Sequence, residues 1–149
     1  MLKYNLPISQ NSLRLVMLIA SVNAAILLAF FVPNFFHSDT LQYVSTIEYL
    51  EGVPNSELVV FRLLKPLPIL ISVILSPIFI PEAGLVIQNL FFYFISILFA
   101  LLLSYEIFKN DRAAIYGAIL YMFAHPMLYY GLAVLTDISG WTIFIVSAY

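Results

Sequence analysis

The sequence has no cysteine and very little charge. The absence of cysteine excludes disulfide bonds, thiolate metal sites and cysteine nucleophiles. Only 9% of the residues are charged, and the formal net charge is −2. Nucleic acid is bound through clustered positive charge, so we expect no nucleic-acid partner. Glycine is also scarce, with 5 residues, and no glycine-rich phosphate loop is present.

Apolar residues are what the chain has in excess. They make up 63% of it, and the mean hydropathy is +1.02. Soluble domains are about 45–50% apolar and about 25% charged. The composition therefore predicts an all-α integral membrane protein. We expect a multi-span helical bundle that is embedded in the lipid bilayer.

Long apolar runs divide this bundle into segments. We predict spans at 13–36, 83–107 and 113–134, and an incomplete one at 138–149. The last run is shorter than the roughly 20 residues that a bilayer crossing needs. We therefore expect the chain to be the N-terminal part of a longer membrane protein.

A further uncharged segment, 66–81, is predicted not to cross the membrane. At about 1.5 Å per residue it reaches roughly 24 Å, against a hydrocarbon core of about 30 Å. It also contains four prolines, which shorten the usable helix. We expect a helix that lies in the interface or dips into it.

The distribution of basic residues favours the same topology. Lys3 and Arg14 place the N-terminus in the cytoplasm under the positive-inside rule. Lys109 and Arg112 are then cytoplasmic only if 66–81 does not cross. The prediction is an external loop at 37–82, with interfacial helices at 39–51 and 66–81.

This topology places two acidic residues, Asp39 and Asp137, on the non-cytoplasmic face of the cell membrane. Asp39 lies in "FFHSDTLQYVSTIEYLEG", directly after the first apolar run. One interpretation is that it only caps the following helix, because Asp is a favoured N-cap residue. The other is that it reacts with a substrate at the membrane edge. The two roles are compatible, and the same alternatives apply to Asp137.

Arg62 and Lys65 are the basic residues of the external loop, in "VVFRLLKPLP". Positive charge on that side runs against the topology rule and needs a local reason. A bound anion such as a lipid phosphate is one. Pairing with a nearby glutamate, or snorkelling to headgroups, is the other.

The order of these features resembles the N-terminal module of the GT-C glycosyltransferases. A first span is followed by external Asp39, a short helix closed by Gly52, a proline-led segment after "RLLKPLP", two spans and external Asp137. The superfamily includes protein O-mannosyltransferases, aminoarabinose transferases and oligosaccharyltransferase catalytic subunits. The resemblance implies a multi-span enzyme that takes a sugar from a polyprenyl-phosphate or polyprenyl-diphosphate carrier.

The match to the motifs of that superfamily is partial. "SDT" at Asp39 lacks the Asp-Glu pair of mannosyltransferases and the Asp-x-Asp of some relatives. "KPLP", with Lys65, stands where mannosyltransferase-like members often have His-Pro-Pro-Leu. Members of the superfamily carry acidic residues in the second external loop, and Asp137 matches that position as a single Asp, not as a pair. Many such enzymes need no metal; if one is bound here, Asp39 and Asp137 are its expected oxygen ligands.

The resemblance thus implies a membrane glycosyltransferase, present here as a fragment. Asp39 and Asp137 are the expected catalytic residues, and Arg62 and Lys65 the expected contacts to the phosphate of a polyprenyl-phosphate sugar donor. The alternative is a non-enzymatic module, either a transporter fragment or a scaffold. Transporters carry polar groups at the membrane midplane, whereas the strongest candidate polar groups here, Asp39 and Asp137 among them, lie at the external edge.

Overall fold

The structure is a computed structural model, and it describes residues 7–30, 38–60, 62, 66–124 and 137–149. At positions 30, 38, 39, 137 and 138 it describes the backbone alone. Within these ranges the chain forms six helices and no strand, which confirms the all-helical prediction for them. The helices are α1 (Gln10–Phe30), α2 (Ser38–Leu50), α3 (Pro66–Leu75), α4 (Pro81–Phe108), α5 (Asp111–Met122) and α6 (Asp137–Ala148).

Two of these helices are long and apolar enough to cross a bilayer, judged by length and composition. They are Gln10–Ala29 within α1 and the 28-residue α4. In α1 both faces are apolar, because Val16 and Ala20 are buried while Leu18 is 62% exposed. A helix that is hydrophobic all round belongs in an apolar environment on every side.

The helices α1 and α4 run antiparallel. The Asp111 carboxylate, just beyond the end of α4, accepts a hydrogen bond of 2.7 Å from the Ser12 hydroxyl in the first turn of α1. Midway along both helices, the Asn23 amide donates to the Tyr93 hydroxyl at 2.7 Å. We name the two ends of the bundle the Asp111 end, where α1 begins, and the Pro81 end, where α4 begins.

The short helices α2 and α3 lie at the Pro81 end. Tyr43 and Ile47 of α2 pack with Ile69 of α3 and Leu85 of α4 in one buried cluster. Since α1 ends and α4 begins at this end, the segment between them starts and finishes on the same side of the bundle.

Helix α3 is shorter than its apolar segment. It has 10 residues, about 15 Å of helix, and ends at Leu75 rather than at 81. The residues that follow form a turn that contains Pro77, and the residue before a proline is disfavoured in helical geometry. The next helix begins at Pro81, because proline suits the first helical position.

Helix α5 turns back along α4 after a two-residue connection. The helices approach closely where Gly117 faces Ser104: a Cβ at Gly117 would lie 2.8 Å from the Ser104 Cβ. Helix α5 ends at Met122, whereas the sequence predicts a span that continues to 134. Phe123 leaves helical geometry at φ −94° and ψ 4°. The rest of the predicted span, from 125 to 134, lies outside the described residues.

Helix α6 runs parallel to α4. The Thr142 hydroxyl donates to the Phe92 carbonyl at 3.0 Å, and the rings of Phe99 and Tyr149 meet edge to face at 5.5 Å. In each pair the two residues are 50 positions apart in sequence. The same register places the start of α6 level with position 87 of α4, about 9 Å of helix from its start. Helix α6 therefore begins in the half of the bundle that carries α2 and α3.

Candidate functional site at the Pro81 end

The chain reverses direction at the C-terminal end of α2. Gly52 has φ +80°, a left-handed conformation that costs glycine little and other residues more. The amide of Gly52 donates to the Tyr49 carbonyl, and the amide of Val53 donates to the Glu48 carbonyl at 2.9 Å. These bonds supply donors to carbonyls that have no hydrogen-bond partner within the helix at its C-terminal end. The following residues are thereby directed back along α2.

This returning segment, residues 53–60 and 62, is held against α2 by side chains of the helix; we call it the strap. The Ser45 hydroxyl accepts from the Glu57 amide at 2.8 Å and lies 3.1 Å from the Glu57 carbonyl, to which it donates. The Thr46 hydroxyl accepts from the Val59 amide at 3.3 Å. The strap starts just beyond the C-terminal end of α2, and its last described residue, Arg62, contacts Gln42, so it returns toward the N-terminal end of the helix.

Arg62 is the point at which the strap reaches the first turns of α2. Its Nε and Nη2 groups both donate to Oε1 of Gln42, at 3.0 and 2.6 Å. Its guanidinium carbon lies 4.8 Å from the centroid of the Tyr43 ring. Tyr43 is buried, so the ring provides a fixed surface under the cation. Two consecutive residues of α2 thus hold the guanidinium in place.

The residues that hold Arg62 lie on the face of α2 that carries position 39. Gln42 and Tyr43 follow Asp39 by three and four positions, and residues at these spacings are neighbours on a helix surface. Asp39 is the second residue of α2, in the first turn, where the helix dipole favours a carboxylate. Its side chain lies outside the described residues.

The other predicted site residues are placed less completely. Asp137 is the first residue of α6, and the register described above places its backbone in the half of the bundle that contains the strap. Its side chain and all of Lys65 lie outside the described residues. Among the residues whose side chains are described, no group of three or more His, Asp or Glu is arranged to hold a metal ion.

The opposite end of the bundle carries a polar junction that the sequence did not predict. The Asp111 carboxylate accepts from the Ser12 hydroxyl and from the Ser9 amide, at 2.7 and 3.2 Å. The Asn110 side chain caps α5 by accepting from the amides of Arg112 and Ala113. Hydrogen bonds from Ser9, and then from Ser12, hold the pKa of Asp111 below its ordinary value. This junction joins the starts of α1 and α5.

A second feature that the sequence did not predict is a polar surface inside the bundle. Gln88, Tyr93 and Ser96 of α4 are buried, as is Ser72 of α3. Both polar atoms of the Gln88 side chain, and the Ser72 hydroxyl, have no hydrogen-bond partner within the described ranges. Most buried polar side-chain atoms in proteins do have one. These side chains are uncharged, and the apolar runs in the sequence were delimited by charged residues, so no role was predicted for them.

Comparison of the chain with protein-family models, with curated proteins and with solved structures gives no match. The function is therefore proposed from the chain's own residues and their geometry.

Proposed function

We propose that the chain is a module of a multi-pass membrane protein with its Pro81 end on the non-cytoplasmic face. Large exposed apolar side chains support the membrane assignment, since soluble monomers rarely expose contiguous apolar patches beyond a few hundred Å². Examples from four helices are Leu18, Ile74, Leu120 and Phe144. Such surfaces are stable against lipid and costly in water.

The charges support the proposed orientation. Of the basic residues that the structure describes, Arg14, Lys109 and Arg112 lie toward the Asp111 end, and only Arg62 lies toward the Pro81 end. The positive-inside rule then makes the Asp111 end cytoplasmic. The antiparallel arrangement of α1 and α4 is the one expected if 66–81 does not cross.

We further propose that the module belongs to a glycosyltransferase that uses a polyprenyl-phosphate sugar donor. The observation that carries this proposal is the placement of the Arg62 guanidinium on the face of α2 that bears Asp39. A cation and an acid are the two groups that glycosyl transfer from a lipid phosphate requires. They belong to one helix surface at one end of the bundle.

The proposed reaction is a displacement at the anomeric carbon of the sugar. The acceptor oxygen forms a bond to that carbon, and the bond from the carbon to the carrier phosphate oxygen breaks. Asp39 takes the proton of the acceptor hydroxyl as general base. Arg62, with Lys65, stabilises the negative charge that develops on the departing polyprenyl phosphate. Asp137 is proposed as the second acid of the site.

The test is sugar transfer from a polyprenyl-phosphate donor by the full-length protein and its Arg62 variants. Lysine keeps the charge but loses the planar fork that bonds Gln42 and stacks on Tyr43, so Arg62→Lys should weaken donor binding although the charge is conserved. Arg112→Lys, at the opposite end, is the matched control and should leave binding unchanged. If Arg62→Ala and Arg62→Lys both transfer sugar normally, Arg62 is only a headgroup anchor.

The polar interior supports a second candidate, a transport function. Helix α4 has 28 residues and is about 42 Å long, so Ser96, about 22 Å from its start, lies at the middle, and Gln88, about 10 Å from its start, lies a quarter of the way along. Transporters place their polar binding groups near the midplane, the depth of Ser96. Gln88→Leu separates the two functions. Under the transferase proposal the variant should transfer sugar normally, because an unpartnered amide can be replaced by an apolar group at little cost. Loss of transfer in a stably folded variant would favour a site inside the bundle.

A further inference from the structure

Helices α3 and α4 approach each other closely where Ser72 faces Gly84. A Cβ at Gly84 would lie 3.6 Å from the Cα and 3.7 Å from the Cβ of Ser72. Ile69, three positions before Ser72, and Leu85, directly after Gly84, belong to the buried cluster that joins α2, α3 and α4. Ser72 is itself fully buried. Its hydroxyl therefore belongs to the interface between α3 and α4.

The side chain of Gln88 belongs to the same interface. Gln88 follows Gly84 by four positions and Leu85 by three, so these residues lie on one face of α4. Long side chains in a helix point back toward its N-terminus, which directs the Gln88 amide toward the turn on which Ser72 packs. Gln88 is only 2% exposed. An amide and a hydroxyl are thus enclosed together between two helices.

These two buried groups need hydrogen-bond partners. The Ser72 hydroxyl and both polar atoms of the Gln88 amide have none among the residues that the structure describes, and they do not bond each other. Unpaired polar atoms are costly in an apolar interior, and most buried ones in proteins are paired with protein or with ordered water. The partner must be small, and it must both donate and accept, because Nε2 donates and Oε1 accepts.

We infer that ordered water is bound between Ser72 and Gln88 and joins α3 to α4. A water molecule that accepts from Nε2 of Gln88 can donate to the hydroxyl of Ser72. The amide oxygen can accept from the same water or from a second one. Buried water in proteins occupies sites of this kind, where it makes about three hydrogen bonds to polar groups that otherwise have no partner.

The bound water gives α3 a polar contact to the bundle in addition to its apolar one. The other side of this short helix exposes Leu70 and Ile74, which suits it to contact with lipid. Only the Ser72 side carries a polar group toward α4. The site also supplies partners for the Gln88 amide without a transported ligand. It does not depend on the transferase proposal, because no donor or acceptor takes part.

Radiolytic labelling of the full-length protein in detergent tests the site directly. A brief X-ray pulse forms hydroxyl radicals from bound water in place, and these oxidise neighbouring side chains that bulk solvent does not reach. Leu85 is buried beside the proposed water and should be oxidised. Leu101, an equally buried leucine of α4 in the larger apolar cluster, is the matched control and should stay unmodified. If Leu85 is as protected as Leu101, the inference is wrong.

Variants show whether the water bridges both residues. A buried water needs at least two polar partners, so Ser72→Ala and Gln88→Leu should each abolish the oxidation of Leu85. Ser96→Ala is the control, because this buried hydroxyl already donates to a carbonyl of α4 at 2.8 Å, and it should leave Leu85 oxidised. Oxidation of Leu85 that persists in Ser72→Ala or in Gln88→Leu would overturn the bridge.

Discussion

The hydroxyl of Ser12 donates a hydrogen bond of 2.7 Å to the carboxylate of Asp111, which lies 99 positions further along the chain. The bond connects the first turn of α1 with the first residue of α5. It therefore fixes the relative positions of three helices, because α5 follows directly after α4. The same carboxylate also accepts from the Ser9 amide.

The first prediction concerns the pH dependence of this junction. Because hydrogen bonds from Ser9 and Ser12 lower the pKa of Asp111 below 3.8 in the folded protein, folding favours its ionised form. The resulting stability is fully present above the ordinary pKa and is lost as the pH falls through the lowered one. Asp111→Asn should remove this acid-dependent part of the stability.

The measurement is the thermal unfolding midpoint in detergent as a function of pH. The wild type should lose more stability between about pH 5 and pH 3 than Asp111→Asn does. Glu106→Gln is the control, since Glu106 lies at the same end but is exposed and paired only with Lys109 among the described residues. Parallel curves for the wild type and Asp111→Asn would show that the carboxylate does not stabilise the junction.

The second prediction concerns the close approach of α4 and α5. Gly117→Ala should destabilise the protein by about 1–3 kcal/mol, because the new methyl group would overlap Ser104. Gly140→Ala is the matched control, since a Cβ there has no neighbour within 4 Å among the described residues.

A double variant tests the cause of that loss. Ser104→Gly with Gly117→Ala moves the small residue to the other helix and should recover most of the stability. Both single variants and the double variant are compared by thermal unfolding. An additive result would indicate that the overlap with Ser104 is not the cause.

The third prediction concerns topology. The chain has no cysteine, so single cysteines can be introduced without background. Glu51→Cys, at the end of α2, should react with an impermeant maleimide added to intact cells. Glu106→Cys, in the last turn of α4, should react only after the membrane is permeabilised. Both residues are exposed glutamates, so the comparison is matched in charge and accessibility. Reaction of Glu106→Cys from outside would contradict the proposed orientation.

Segment boundaries followed from the sequence where a run of apolar residues ends at proline or at polar residues. The sequence predicts 39–51 and 83–107, and the structure has helices at Ser38–Leu50 and Pro81–Phe108. The contacts that build the site could not be predicted from the sequence. The bonds from Gln42 to Arg62 and from Ser45 to Glu57 depend on the chain reversal at Gly52, which brings together residues that are 20 and 12 positions apart.

The polar residues that hold the helices together were also not evident from the sequence. The start of α2 was expected to be a helix capped by Asp39, and Gln42 was assigned no role. In the structure the Gln42 side chain bonds Arg62 instead. The buried amide of Asn23, paired with Tyr93, was also assigned no role, because a neutral residue barely interrupts an apolar run. Tertiary partners, rather than local pattern, determine the role of such residues.

The most direct test of the proposed transferase is the Asp39→Asn variant. Asparagine has nearly the shape of aspartate, and at the second residue of α2 the exchange loses only the favourable interaction of the carboxylate with the helix dipole, so the variant should insert and fold normally. It cannot take the proton of the acceptor hydroxyl, and removing a general base lowers turnover by about 10²- to 10⁴-fold. The measurement is sugar transfer from a polyprenyl-phosphate donor by the full-length protein at matched expression. A loss of that size is the predicted result. Transfer at the wild-type rate would contradict the account and leave Asp39 with a role only in the first turn of α2.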